Sequence, residues 1–288
     1  MKLAVSTGTL YIYPLRTVFG WARQAGFQGV QVVVNPEAIA RGGAGVRRLA
    51  DEAGVEIVAV HPTVIPLPGW RERYGGMERT IPLARDMRAP VVVMHTPRSA
   101  GLDDGEGLAF RQRIERWLPR LVGDGLRMAG GGLCLAIENK TVHSEEDRGY
   151  ALTPLDRLRA FADRYDLGLV LDTAHAGTAG EDLLQARRVF DGRLVDVHLS
   201  DVGGELPALV PDAARQTLDL HRFPGAGELR LAPLLAALQD DGYTGSVTLE
   251  VNPFALRFWW PPAIRRRLAQ AAAWMRRAAN GGQEPTND

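Results

Sequence analysis

The chain has 288 residues, and its 34 basic and 34 acidic side chains leave a formal net charge of zero, which gives no electrostatic reason to expect nucleic acid or an anionic membrane as main partner. Apolar residues make up 45% and charged ones 24%, values of an ordinary globular domain that set aside disordered and membrane-embedded classes. The only cysteine, Cys134, excludes an intrachain disulfide, and without a secretory leader or an apolar run near the ~20 residues that span a bilayer we expect a cytoplasmic protein.

From the N-terminus the pattern is strand then helix, repeated. Leu3-Ala4-Val5 predicts a first strand and Leu15 to Ala25 a helix stopped by Gly26. Gly29 to Val34 predicts strand two, and Ala38 to Ala53 a helix weakened at Gly42-Gly43. Ile57-Val58-Ala59-Val60 runs into His61, after which Pro62, Pro66, Pro68 and Gly69 force a loop that carries Trp70 and Tyr74. A helix over Met77 to Met87 leads to Val91-Val92-Val93-Met94 and His95. The helix Leu108 to Met128 and the turn Gly130-Gly131-Gly132 precede Leu133 to Ile137, which ends at Glu138. Asn139 to Tyr150 reads as a polar loop, and Thr153-Pro154 as the capped start of the next helix. Leu167 to Leu171 ends at Asp172, with a helix from about Glu181. Leu194 to Val197 ends at His198, and a long insertion follows from Ser200 to Glu228. Helix Leu231 to Gln239, strand Ser246 to Leu249 ending at Glu250, and helix Ala263 to Ala279 complete the pattern; 280–288 reads as a frayed tail.

Eight alternations without an inserted domain predict an α/β fold, a single (β/α)8 TIM barrel over 1–279, in keeping with the ~250 residues such a barrel takes. Six strands end in a metal-capable side chain. Parallel strands in a ring bring those ends to one mouth, whereas an open sheet gathers ligands at a single switch point. Glu138, Asp172, His198 and Glu250 come from four successive strands, and three carboxylates with one imidazole suit a divalent Mn, Mg, Co or Zn ion. His61, His95, His175, Asp219 and His221 are expected as additional metal or substrate ligands. One such residue alone is as well explained by a hydrogen-bonded barrel rim; four at successive strand ends are not.

The runs I-E-N at 137–139, L-D-T-A-H at 171–175, V-H-L-S-D at 197–201, H-R-F-P-G-A-G at 221–227 and L-E-V at 249–251 together resemble the xylose isomerase-like barrels. That superfamily joins sugar and sugar phosphate isomerases and epimerases with the endonuclease IV nucleases, and the resemblance runs from the first strand to the last helix. In the sugar-acting branch it implies that Glu138, Asp172, His198 and Glu250 hold one divalent metal, with Glu138 and Glu250 flanking the sugar as acid-base groups. A metal chelating the carbonyl and neighbouring hydroxyl stabilises the enediolate left by proton removal, and a carboxylate on either face can take and return the proton. In the nuclease branch it implies three zinc ions, on His61, His95 and Glu138, on the four-residue set, and on His175, Asp219 and His221. Asn139-Lys140-Thr141-Val142 and Pro224-Gly225-Ala226-Gly227 depart from the nuclease-like Asn-Thr-Ala-Gly and Leu-Gly-Glu-Gly.

We therefore expect a divalent-metal-dependent isomerase or epimerase of a small sugar, sugar phosphate or related polyol ketone, the alternative being a zinc-dependent endonuclease of abasic DNA. Intact Glu138 and Glu250 argue against a barrel that binds carbohydrate without turnover. Lys140 and Arg222, the cations nearest the ligands in sequence, and Trp70 are expected to bind substrate. The aromatic residues after strands three and eight suit either a sugar-stacking lid or the interface of a homo-oligomer.

Overall fold

The computed structural model describes residues 1–64, 67, 70, 75–123, 132–204 and 218–282. The predicted end of the helix at Met128, the start of the triple-glycine turn, Tyr74, residues 205–217 of the long insertion and the tail from 283 lie outside the described residues. Eight strands, β1 (Lys2–Ser6), β2 (Gly29–Val33), β3 (Glu56–His61), β4 (Val91–His95), β5 (Cys134–Glu138), β6 (Gly168–Asp172), β7 (Leu194–Leu199) and β8 (Ser246–Leu249), close in sequence order into a parallel barrel. β1 pairs with both β2 and β8, which joins the ends of the ring. The chain is thus a single (β/α)8 TIM barrel, as its alternating pattern predicts.

The helices are α1 (Leu15–Ala25), α2 (Pro36–Ala53), α3 (Gly75–Asp86), α4 (Gly105–Gly123), α5 (Glu145–Arg148), α6 (Leu155–Tyr165), α7 (Thr173–Ala179), α8 (Leu183–Phe190), α9 (Leu231–Asp240) and α10 (Pro261–Ala279). α2 starts where Asn35 accepts from Ala38 N at 2.8 Å, and it bends at Gly42, whose φ of 66° is open to glycine at little cost. The expected capped start at Thr153-Pro154 differs. Pro154 takes the cap position without a side-chain bond, and the Thr153 hydroxyl donates instead to the Asp147 carbonyl at 2.6 Å. Within the expected polar loop, Ser144 and Asp147 form a reciprocal capping box that nucleates α5.

Strand alternation positions the site. Leu135 and Ile137, Leu169 and Leu171, Val197 and Leu199, and Val247 and Leu249 point outward into one large core under the helices. Their neighbours point into the barrel, where Ala4, Val58, Ala59, Val91, Val93, Cys134, Ala136 and Val170 fill the lower interior with small side chains. Counting on by two along β5 to β8 puts Glu138, Asp172, His198 and Glu250 inward at the mouth.

Candidate metal centre

Asp172 ends β6 and also caps α7. Its Oδ1 accepts from His175 N at 2.8 Å, while Oδ2 is buried without a hydrogen bond. Asn139 fixes the backbone here, donating to the Asp172 carbonyl at 3.0 Å and accepting from its amide at 2.7 Å. On β7, the buried His198 presents Nδ1 to the carboxylates: Glu138 Oε1 at 2.6 Å, Glu250 Oε2 at 2.9 Å and Asp172 Oδ2 at 4.0 Å. Glu250 Oε2 pairs with that nitrogen by charge but is left, like Asp172 Oδ2, without a hydrogen bond. One donor atom from each of the four residues lies within 4.8 Å of the other three.

Three carboxylates around one imidazole in a low-dielectric interior repel one another strongly. Burial opposes charge on His198, yet Glu250 and Glu138 outweigh it and hold the imidazole well above its ordinary range. Burial likewise opposes charge on the two glutamates, but His198 keeps Glu138 well below the usual carboxylate range and Glu250 at about 2. The two glutamates are therefore ionised, with the His198 charge between them. Two orphaned buried oxygens, hard oxygen donors and one imidazole nitrogen fit a divalent ion.

Two further groups flank this one. His61 Nδ1 donates to the Pro62 carbonyl at 2.7 Å, leaving Nε2 as the lone-pair nitrogen beside His95 Nε2 at 3.0 Å; His95 in turn lies 3.1 Å from Glu138 Oε2. Burial, helped by His95, pushes His61 down to about 4, so it stays neutral. On the other flank His175 and His221 stack edge to face at 5.3 Å, tied to the Asn139 carbonyl and the Ser200 hydroxyl at 3.0 Å each. Asp172 completes this second group. Asp219 does not join it: its carboxylate faces Arg222 at 3.7 Å.

A cavity of about 350 Å³ opens beside Glu250 and His221, walled by Thr9, Val33, Val64, His143 and Asn252 among others. The three residues expected to bind substrate are engaged elsewhere. The Lys140 ammonium lies over the Tyr150 ring at 5.2 Å, Arg222 donates to the Gly203 carbonyl, and Trp70 packs on the core with Arg79 above its ring. Sequence reasoning passed over Gln31, a lone polar residue in a strand interior whose amide contacts His198, and it quoted Asn139 and Ser200 within the I-E-N and V-H-L-S-D runs without giving either a role. It also took His143 for a plain loop residue, whereas the capping box of α5 holds its backbone at the cavity wall through His143 N and Asp147 Oδ2 at 2.9 Å.

A family model described as the xylose isomerase-like TIM barrel matches residues 19–278. The chain belongs to that family. An uncharacterized protein of Mycobacterium tuberculosis is 27% identical over 293 residues, covering 89% of this chain and 92% of the relative. The 3-dehydroshikimate dehydratase of Pseudomonas aeruginosa is 27% identical over 232 residues, covering 79% of this chain and 34% of the larger protein. D-psicose 3-epimerase of Clostridium cellulolyticum, solved with D-tagatose, superposes with a TM-score of 0.67 at 14% identity, over 97% of this chain and 99% of the epimerase. That likeness is one of fold. Among the described residues no helix is long and apolar enough to cross a membrane.

Proposed function

We propose that this xylose isomerase-like barrel is a divalent-metal-dependent isomerase or epimerase, moving a proton beside the carbonyl of a small sugar, sugar phosphate or polyol ketone. Glu138, Asp172, His198 and Glu250 would hold the ion, which when bound supplies positive charge beside the substrate carbonyl oxygen. The observation that carries the reading is the unlike setting of two convergent carboxylates. Glu138 is sealed at 3% side-chain exposure and clamped by His198 and His95, while Glu250 is 25% exposed and lines the cavity. Glu250 is the group a substrate meets first, and its ionised carboxylate can accept a proton from the carbon next to the carbonyl. Glu138, on the far side of the ligand set, is the group suited to proton return from the opposite direction. Water exclusion falls to the cavity wall formed by Val33, Val64 and Val251.

The relatives support proton removal beside a carbonyl more than they support one outcome of it. The epimerase's name implies return of the proton to the same carbon, and the dehydratase's implies loss of water after such a removal. A second reading, metal-dependent cleavage of abasic DNA, is favoured by the flanking groups His61, His95, Glu138 and Asp172, His175, His221. Incubating the metal-loaded protein with a ketose panel in D2O separates all three. Deuterium entering the carbon beside the carbonyl with the formula otherwise unchanged is expected, and Glu250→Gln should remove it while circular dichroism stays native. Loss of water with deuterium uptake would favour the dehydratase outcome. Inertness to ketoses with cleavage of an abasic duplex would put the nuclease first.

A further inference from the structure

Gln31 is the polar side chain that β2 sends into the barrel, between Val30 and Val32, which point outward into the helix-covered core. It is fully buried, and a register shift against β3 falls between Val30 and Gln31, the kind of irregularity that re-aims a side chain. Its amide nitrogen lies 2.6 Å from His198 Nε2, across 167 positions of sequence, and its amide oxygen is buried without a partner. Asp196 Oδ2 is the next acceptor near His198 Nε2, at 3.7 Å. That carboxylate already accepts from the Thr248 hydroxyl at 3.0 and 3.1 Å and from Val197 N at 2.9 Å.

We propose that Gln31 is a positioning residue which sets the tautomer of His198, and so the strength with which that imidazole holds an ion. The inference rests on the four-ligand reading of the centre. An imidazole that gives its Nδ1 lone pair to an ion keeps its proton on Nε2, and that N–H needs an acceptor. Gln31 meets the need by a half-turn of its amide, which brings the orphaned oxygen to the position 2.6 Å from Nε2. In either orientation one amide atom goes unpartnered, so what His198 presents decides between them. With Nδ1 on an ion, Nε2 is a donor and the amide carbonyl faces it. The loaded centre is then the state in which the Gln31 carbonyl must face Nε2, and a second-sphere acceptor of this kind raises the basicity of its ligand.

The test is titration calorimetry of the metal-stripped full chain with Mn²⁺ and Zn²⁺. Gln31→Leu keeps the volume and deletes the acceptor, and should weaken ion binding about 10- to 100-fold. Gln31→Glu retains an acceptor oxygen and should bind at least as tightly as the wild type. Should Gln31→Leu bind as tightly as wild type, or should both variants weaken alike, the inference fails while the metal site stands. A wild-type chain that binds neither ion overturns the four-ligand reading, and the inference with it. Because Gln31→Leu perturbs a buried position, a second measurement uses the wild type alone. Ring ¹⁵N NMR of the Zn²⁺-loaded chain should find the His198 proton on Nε2, and a proton on Nδ1 would refute the assignment.

Discussion

At the residue scale, Asp172 divides its two oxygens between two tasks. Oδ1 caps α7 and thereby fixes the carboxylate plane, so that Oδ2 is aimed at the ligand set before anything binds. Asparagine caps a helix as well as aspartate does, but its amide is a poor ligand. Asp172→Asn should therefore melt no lower than the metal-free wild type and yet load no ion, whereas Asp172→Ala should also lose about 1 kcal/mol of helix capping. Paired calorimetric scans and elemental analysis check this; an Asn variant that loads a full complement would contradict it. Cys134 gives a contrasting case. Burial pushes its thiol up to about 11, so the reactive thiolate is scarce below that pH. A disulfide-exchange reagent at pH 8 should leave the native thiol untouched and modify it quickly once denaturant is added; rapid native reaction would show that the lower barrel opens readily.

At the element scale, close helix packing depends on Gly43 in α2. A Cβ there would come within 2.4 Å of both the Leu83 carbonyl oxygen and Asp86 Cβ of α3. Glycine to alanine inside a helix normally stabilises by up to ~1 kcal/mol, but here the wedge should reverse the sign and cost about 1–3 kcal/mol. Denaturant titration of Gly43→Ala measures it, and a more stable variant would mean that α2 and α3 part easily. The strands were legible because they are buried apolar runs, six of them running into a metal-capable residue, and period-two alternation then decides which side chains face the mouth. α7 was not legible. Its sequence, T-A-H-A-G-T-A, has weak helix propensity and no amphipathic stripe, and its start signal, Asp172, reads equally well as the end of a strand. The four-ligand set could be inferred from strand ends alone, but the partner of His175 and His221 could not. Whether Asp172 or Asp219 completes that group depends on how the chain after β7 returns to the barrel, and that path leaves no periodic trace in the residues.

At the scale of the whole molecule, the charge cluster gives stability a pH signature that an ion should invert. His198 is raised in the folded chain, so its contribution is present below its unfolded value near 6.5 and is lost as pH rises through the higher folded value. Glu138 and Glu250 are depressed, so theirs is present above about 4.5 and is lost as pH falls through the folded values, about 2 for Glu250. With chelator present, this cluster should favour stability most between those two unfolded values. With excess ion the maximum should move to higher pH, because a neutral imidazole is then required. Melting temperature against pH, with and without ion, tests both signs; coincident curves would indicate that no ion enters the cluster.

The ligand strands occupy one contiguous half of the ring, β5 through β8, and Gln31 reaches the same imidazole from β2. An ion at the centre would behave as a removable cross-link, tying together in the folded chain segments that drift apart in the unfolded one. Such a link adds about 2.7 kcal/mol when free ion stands at 100 times its dissociation constant, and it grows with the logarithm of concentration. Heat resistance would then be partly a property of the surroundings. Cells short of the ion would carry a barrel that is correctly folded but easier to open, and therefore shorter-lived among proteases.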